Sequence, residues 1–344
     1  MCAGGAVVDR KFHLVAPSVA ATSNPASVST SSGGVARNVA ENLAGLISHD
    51  VQVELVSAVG DDDAGATLLA HLRERGVGVR HVRVRAGEAT AQYVAVLEPG
   101  GELTIGIAAM DVLDRVDAEA LDAAWPSGGR LFCDTNLSAP VLAHAIRRAR
   151  TEGTELAVDA VSTLKVVRLP ADLTGIALLS CNRDEARAWL AEHQRPINGS
   201  DQDLAVRVHA AGAVAVLLTR GADGVVVADR YGVHELPAVR ADVLDVTGAG
   251  DALVAGTLAA LISTDLGADL RADPHAGRGV NRTDSSDLLH PDLLHPGLLD
   301  SGLLDSDLLE AVRVGIRLAA RTVASAHSVL PHPISAHPIP TQNL

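Results

Sequence analysis

Between residues 130 and 228, short β-type runs alternate with helical stretches, and this order restricts the fold more than any other feature of the chain. Strands are predicted over 130–133, 155–159, 176–180 and 213–219, with helices over 138–151 and from 183. Parallel neighbours need a crossover connection, usually a helix, so the order implies a mostly parallel sheet covered by helices. Ligands of such sheets bind beyond the carboxyl ends of the strands. Asp9, Asp134, Asp159, Asn182 and Thr219 all fall at or just past predicted strand ends.

The first third of the chain adds a second kind of layer. Residues 4–9 read as a strand that ends in the Asp9 carboxylate, and the Ser-, Thr-, Ala- and Pro-rich stretch 16–32 reads as irregular or lid-like. Gly33 and Gly34 then open a helix whose apolar positions 35, 39, 43 and 46 follow a helical period, placing Asn38 one turn inside it. A strand over 51–59 and a helix over 64–76 follow. Three short strands over 79–85, 91–97 and 103–107 come without helices between them, which predicts a small β-layer over the main domain. The expectation is a single domain over 1–344, with lid segments at about 10–32 and 79–107.

Residues 264–307 break the pattern. Leucine pairs recur every fifth residue from Leu288-Leu289 to Leu308-Leu309, a step that rotates around a helix instead of holding one face. Pro291 and Pro296 also oppose helix. The stretch reads as a low-complexity, poorly ordered insertion, with helix resuming near Asp307 and a His-Pro-containing tail at the end.

Composition removes several function classes. The net charge of −14 argues against a nucleic-acid or anionic-membrane partner, and with 2% aromatics a stacking platform for single strands is not expected. Cys2, Cys133 and Cys181 are too far apart in sequence to suggest a metal-ligand pair or a disulfide framework. No bilayer-length apolar run or signal peptide is read, so a cytoplasmic protein is expected, with a homodimer left open. The chain has no Gly-x-x-x-x-Gly-Lys-Ser/Thr loop, no dinucleotide fingerprint and no Gly-x-Ser-x-Gly elbow.

The stretch Asp245-Val246-Thr247-Gly248-Ala249-Gly250-Asp251 precedes an apolar run of helical length. A glycine turn at a helix start presents unpaired N–H groups and the positive end of the dipole, which suits an anion. Taken alone it suits an ordinary helix start equally well, with Thr247 as cap and Asp251 as dipole partner.

Four motifs in order change that balance: Gly33-Gly34-x-x-x-Asn38, Asn182-x-x-Glu185, Thr219-x-Gly221-x-x-Gly224 and Asp245-x-Thr247-Gly248-Ala249-Gly250-Asp251. Together they resemble the ribokinase family, also called PfkB carbohydrate kinases, over about 3–262 and again over 307–330. Within it, Val8-Asp9-Arg10-Lys11, Thr22-Ser23-Asn24-Pro25, Asp134-Thr135-Asn136-Leu137-Ser138 and the 158–165 stretch most resemble pseudouridine kinases.

The resemblance implies a ribokinase-like three-layer α/β/α fold with a small β-lid. It implies transfer of phosphate from ATP, with Mg²⁺, to the ribose 5′-hydroxyl of pseudouridine. A kinase of another nucleoside or sugar (ribose, fructose-type) and a non-catalytic nucleoside-binding protein are the alternatives. By resemblance Asp251 is the base, and the N–H groups of Gly248, Ala249 and Gly250 hold the transferring phosphoryl group. Asp9, Gly33, Gly34 and Asn38 bind the ribose; Asn24, Asn136 and Lys165 are candidates for the base side. Asn182, Thr219, Gly221 and Gly224 face the nucleotide. Glu185 organises Mg²⁺, mostly through water, while Asp245 and Thr247 are candidates for a monovalent cation such as K⁺. Residues 320–326 depart from the small-residue wall that relatives place beside adenine.

Overall fold

A computed structural model describes residues 1–47, 51–126, 129–265, 308–325 and 327–330. The leucine-pair insertion, apart from its first two residues, and the His-Pro tail lie outside them. In chain order the elements are β1 (Cys2–Ala3), β2 (Val7–Leu14), β3 (Ala26–Gly33), α1 (Val35–Leu46), β4 (Val53–Gly60), α2 (Asp63–Glu74), β5 (Val77–Arg85), β6 (Gln92–Leu97) and β7 (Leu103–Ala109). There follow α3 (Ala118–Ala123), β8 (Arg130–Asp134), α4 (Ala139–Glu152), β9 (Glu155–Asp159), α5 (Thr163–Val166), β10 (Leu178–Asn182), α6 (Arg183–Glu192), α7 (Asp201–His209) and β11 (Ala215–Thr219). β12 (Val225–Asp229), β13 (Gly232–Leu236), α8 (Ala249–Asp265) and α9 (Leu308–Val323) complete the order.

Nine strands form one sheet in the order β13-β12-β11-β10-β9-β8-β1-β4-β5. It is parallel from β5 to β11, and the β12 and β13 hairpin adds antiparallel strands at one edge. One apolar core packs α3 to α7 on one face; a second packs α1, α2, α8 and α9 on the other. This is the three-layer α/β/α architecture, and it follows from strands apolar on both faces. α8 shows the same logic in a helix: Ala252 to Leu261 is buried all round, so no polar face survives in its sequence.

A separate four-stranded sheet has the order β3-β2-β6-β7. Three expectations change here. Residues 4–9 are not one strand: β1 belongs to the large sheet, and the chain re-enters the small sheet as β2, which continues past Asp9 to Leu14. Part of the irregular stretch 16–32 is β3, which pairs with β2 from Ala26 to Gly33. The strand expected in the lid over 79–85 is β5, which pairs with β4 at the edge of the large sheet; a β-α-β crossover through α2 explains that placement. Among the described residues no helix is long and apolar enough to cross a membrane.

Candidate active site

The site begins as a row of strand ends. Thr219 lies beside Asn182 in the β11–β10 register, Ser180 beside Asp159, and Asp159 beside Asp134. Parallel pairing thus lines up at one sheet edge four residues spread over 85 positions of sequence.

Asp251, in the first turn of α8, is buried under this row. Burial pushes its carboxyl up to about 6, although the Asn38 hydrogen bond and the Arg37 charge pull the other way. Asn38 Nδ2 donates to Asp251 Oδ2 at 2.6 Å. The adjoining Arg37 guanidinium, also buried, bonds to Asn38 Oδ1, Gly33 O, Ser32 O and Glu41 Oε2. Arg37 and Asn38 are adjacent on α1, so one helix delivers both a counter-charge and an amide to the same carboxylate. Gly34 makes that helix start workable: its φ is +95°, and a Cβ there would strike the Gly5 carbonyl.

Asp9 comes to the same neighbourhood from β2. Burial raises its carboxyl despite the positive charges of Arg37 and Lys11, and a Cβ at Gly33 would run into that carboxylate. Asp134 sits beneath it as a brace: Oδ2 accepts from Gly5 N at 3.0 Å and Ala36 N at 2.8 Å, and Oδ1 from Asn136 N at 2.9 Å. Burial nonetheless raises its carboxyl. Asn136 and Lys165, 29 residues apart, meet directly, with Nζ donating to Oδ1 at 2.5 Å. Arg168 holds the carbonyls of Thr135, Asn136 and Leu137 from the same side. Asn24 is not brought into this group. Its amide is engaged with Val19 N, Val19 O and Thr22 O, closing its own loop.

Asn182 and Glu185 make a complete capping box on α6. Asn182 Oδ1 accepts from the N–H groups of Asp184 and Glu185, and Glu185 Oε2 accepts from Asn182 N at 2.8 Å. Burial raises Glu185. Gly221 and Gly224 bracket a tight turn after Thr219, with Arg220 N donating to Gly224 O at 2.8 Å. Asp159, between Asn182 and Asp134 in the row, is pushed up to about 8 by burial and by the negative charges of Asp251 and Glu185. The neighbouring Val161, β-branched yet at φ +60°, is strained, and its N–H donates to Asp159 Oδ1.

The Gly248 turn is held on several sides. Gly248 has φ +80°, and a Cβ there would strike the Ser328 carbonyl; one at Gly250 would meet nothing within 4 Å. Leu244 N donates to Val323 O of α9 at 2.7 Å. Asp245 and Thr247, expected to take a monovalent cation, both accept from the Lys11 ammonium, at 2.8 and 2.9 Å. Burial would raise Asp245, but these hydrogen bonds lower it overall. Among the described residues no three His, Cys, Asp or Glu side chains converge closely enough to grip a metal ion directly. The charges of Asp251 and Glu185 both bear on Asp159, and carboxylates so placed would suit a cation that keeps several of its waters, as Mg²⁺ does.

Sequence reading placed Asp159 and Asp134 at strand ends but gave them no role, and it missed Arg37 and Lys11 as site residues. The signal for the latter two was their position beside Asn38 and two residues after Asp9, within stretches that carry the family resemblance.

A helix-covered parallel sheet thus carries, at the carboxyl ends of its strands, a buried carboxylate behind a glycine turn, with a small sheet alongside. A family model described as pfkB family carbohydrate kinase matches residues 5–273, and the chain belongs to that family. It is 33% identical to the pseudouridine kinase of Escherichia coli (strain K12) over 242 residues, 69% of this chain and 75% of that one. It is 30% identical to the ATP-dependent ribose-1-phosphate kinase of Halopiger xanaduensis over 230 residues, 67% and 73% of the two chains. The aminoimidazole riboside kinase of Salmonella enterica, solved with aminoimidazole riboside and an ATP analogue, superposes with TM-score 0.62 at 22% identity, covering 96% of each chain. The chain is a sugar or nucleoside kinase of ribokinase-like fold.

Proposed function

We propose that this kinase transfers the γ-phosphoryl group of ATP to the ribose 5′-hydroxyl of pseudouridine. The observation that carries the reading is the contact between Asn38 and Asp251, which sets a hydroxyl-binding amide against a carboxylate able to accept a proton. A ribose held by Asp9 and Asn38 presents its 5′-oxygen to Asp251. Asp251 accepts the proton, the oxygen forms the new P–O bond, and the bond from the γ-phosphorus to the bridging oxygen breaks to release ADP. Transfer of this kind depends on positioning and charge stabilisation, so the backbone N–H groups at Gly248 to Gly250 suit the phosphoryl oxygens. Thr219, Gly221 and Gly224 lie under the nucleotide. Bound Mg²⁺ neutralises phosphate charge; Glu185 and Asp159 are the residues to hold its water shell.

The Asn136–Lys165 pair supports the base assignment. Pseudouridine, joined through carbon, offers one more ring N–H than uridine; an amide oxygen accepts such a group and an ammonium donates to a ring carbonyl. The half-exposed Leu103, Ile105 and Ile107 on β7 suit a homodimer through the small sheet, which light scattering tests.

The deciding assay incubates purified protein with MgATP and, separately, pseudouridine, uridine, ribose, ribose 1-phosphate and fructose. Pseudouridine is expected to turn over fastest. Equal turnover of uridine or ribose sinks the base assignment, and phosphorylation of none of them sinks the kinase reading for this panel.

A further inference from the structure

Lys11 lies two residues beyond Asp9 on β2, hence on the same face of the small sheet. Strand pairing holds it opposite Ser29 of β3 and Ala95 of β6. Its ammonium crosses 234 residues of sequence to Asp245 Oδ2 at 2.8 Å and 236 to Thr247 Oγ1 at 2.9 Å. The pair is only partly screened by solvent, with Lys11 26% and Asp245 34% exposed. Asp245 Oδ1 in turn accepts from Thr247 N at 2.8 Å, so the carboxylate shapes the backbone immediately before Gly248. The turn is therefore pinned by α9 from one side and by a positive charge of the small sheet from another.

We propose that the Lys11 ammonium serves as a built-in monovalent cation for the Thr247–Gly250 turn, holding Asp245 and Thr247 so that the turn is set for an anion without an ion from solution. Two oxygens that would otherwise suit a potassium or ammonium ion are both spent on Lys11. Because Lys11 belongs to the small sheet, the same bond ties the seating of that sheet to the shape of the turn. Lys11 is a positioning residue here; it acts through Asp245 and Thr247.

The kinetic arm of the test rests on the phosphoryl-transfer reading; a second arm does not. Wild-type turnover is expected to be the same in potassium, sodium, ammonium or choline chloride at constant ionic strength. Lys11→Ala is expected to lower kcat roughly 10- to 100-fold through a misplaced turn. Potassium or ammonium, but not choline, should restore most of the loss; Lys11→Met, which keeps the apolar stem, should behave alike. In the second arm, backbone amides 245–250 of substrate-free Lys11→Ala should exchange hydrogen faster than wild type, and potassium should slow them where choline does not. The proposal is overturned if wild type is itself activated by potassium, if Lys11→Ala turns over like wild type, or if no monovalent ion rescues the variant. Should wild type show no kinase activity at all, the exchange arm alone decides: unchanged exchange, or a rise that potassium does not reverse, overturns it.

Discussion

Asn38 Nδ2 lies 2.6 Å from Asp251 Oδ2, joining one helix near the start of the chain to another 213 residues later. A donor of this kind favours the charged carboxylate, so Asn38 opposes the burial that holds Asp251 up to about 6. If Asp251 must be ionised to accept the hydroxyl proton, kcat/KM rises with pH through about 6. Asn38→Ala removes a lowering influence, so the acid limb of the pH–rate profile should move to higher pH, by up to about one unit. Asp251→Asn should cost ~10²–10⁴ in kcat while nucleoside binding survives. A limb that Asn38→Ala leaves in place would remove Asp251 from the role of base, and loss of nucleoside binding with turnover would point to a collapsed site.

Asp159 makes a prediction about stability. Burial and the charges of Asp251 and Glu185 raise its carboxyl to about 8, so the folded state binds the proton more tightly than the unfolded chain. Its contribution to stability is therefore full below its ordinary value and is lost as pH rises through about 8. Asp159→Asn keeps an acceptor for Val161 N and removes the charge. The variant should match wild type near pH 4 and exceed it by on the order of 1–3 kcal/mol above pH 8 in chemical denaturation. A difference that shrinks as pH rises contradicts this placement.

These two carboxylates also mark what the sequence made legible. The strand ends at Asp134, Asp159 and Asn182 were readable because apolar runs bounded by helix starts announce themselves, and parallel pairing then set them side by side. β3 was not readable. Ala-Ser-Val-Ser-Thr-Ser-Ser-Gly has just two apolar side chains, Ala26 and Val28, and is mostly exposed, so its strand state comes from pairing with β2. β5 looked like the lid strands because local pattern does not say which sheet a strand joins. Lys11 escaped because its partners lie across the fold. Arg37 pairs within its own helix, yet no local pattern distinguishes a buried, paired cation from a solvated one.

Arg37 and Glu41 form a buried ion pair one turn apart on α1, 2.5 Å between Nη1 and Oε2. Glu41 Oε1 also accepts from Arg75 Nε at 2.7 Å and meets His71 Nε2 at 3.0 Å. Burial would raise Glu41, but the Arg37 charge and the Arg75 and His71 contacts lower it overall. Its stabilisation is thus present above its ordinary value and fades as pH falls through the lowered one. Glu41→Ala strands a buried guanidinium and should cost about 3–5 kcal/mol in urea unfolding. Pairing it with Arg37→Met should recover part of that loss, because no unpaired charge remains; a double variant as unstable as the sum of the two singles would deny the coupling.

Glu185 stands in a capping box and is also near enough to Asp159 for its charge to raise that carboxyl. The two roles separate by substitution. Gln at the third helical position still completes a capping box, so Glu185→Gln should leave Tm nearly unchanged. If Glu185 orders the water shell of Mg²⁺, the same variant should need several-fold more Mg²⁺ for half-maximal rate. Asn182→Ala removes the cap itself and should cost about 1 kcal/mol. A Glu185→Gln enzyme with an unchanged Mg²⁺ requirement would confine Glu185 to the helix start.

Lys165 is half-buried, and burial lowers its ammonium from the usual lysine range even though the Asp134 charge acts to raise it. It donates to Asn136 Oδ1 at 2.5 Å and to the Met110 sulfur at 3.2 Å. A sulfur and an amide oxygen leave an ammonium with capacity to donate further, which a ring carbonyl of a bound nucleoside would use. Lys165→Met keeps the stem and drops the charge. If Lys165 touches the base, KM for pseudouridine should rise about 10-fold, equivalent to one lost hydrogen bond to a charged group, with kcat changed far less. Ribose should respond less, since it presents no ring carbonyl; uridine, which keeps the carbonyls, should respond much as pseudouridine does. An equal rise in KM for ribose would make Lys165 a general brace of the 134–137 turn instead, and a fall in Tm without any change in KM would make it structural alone.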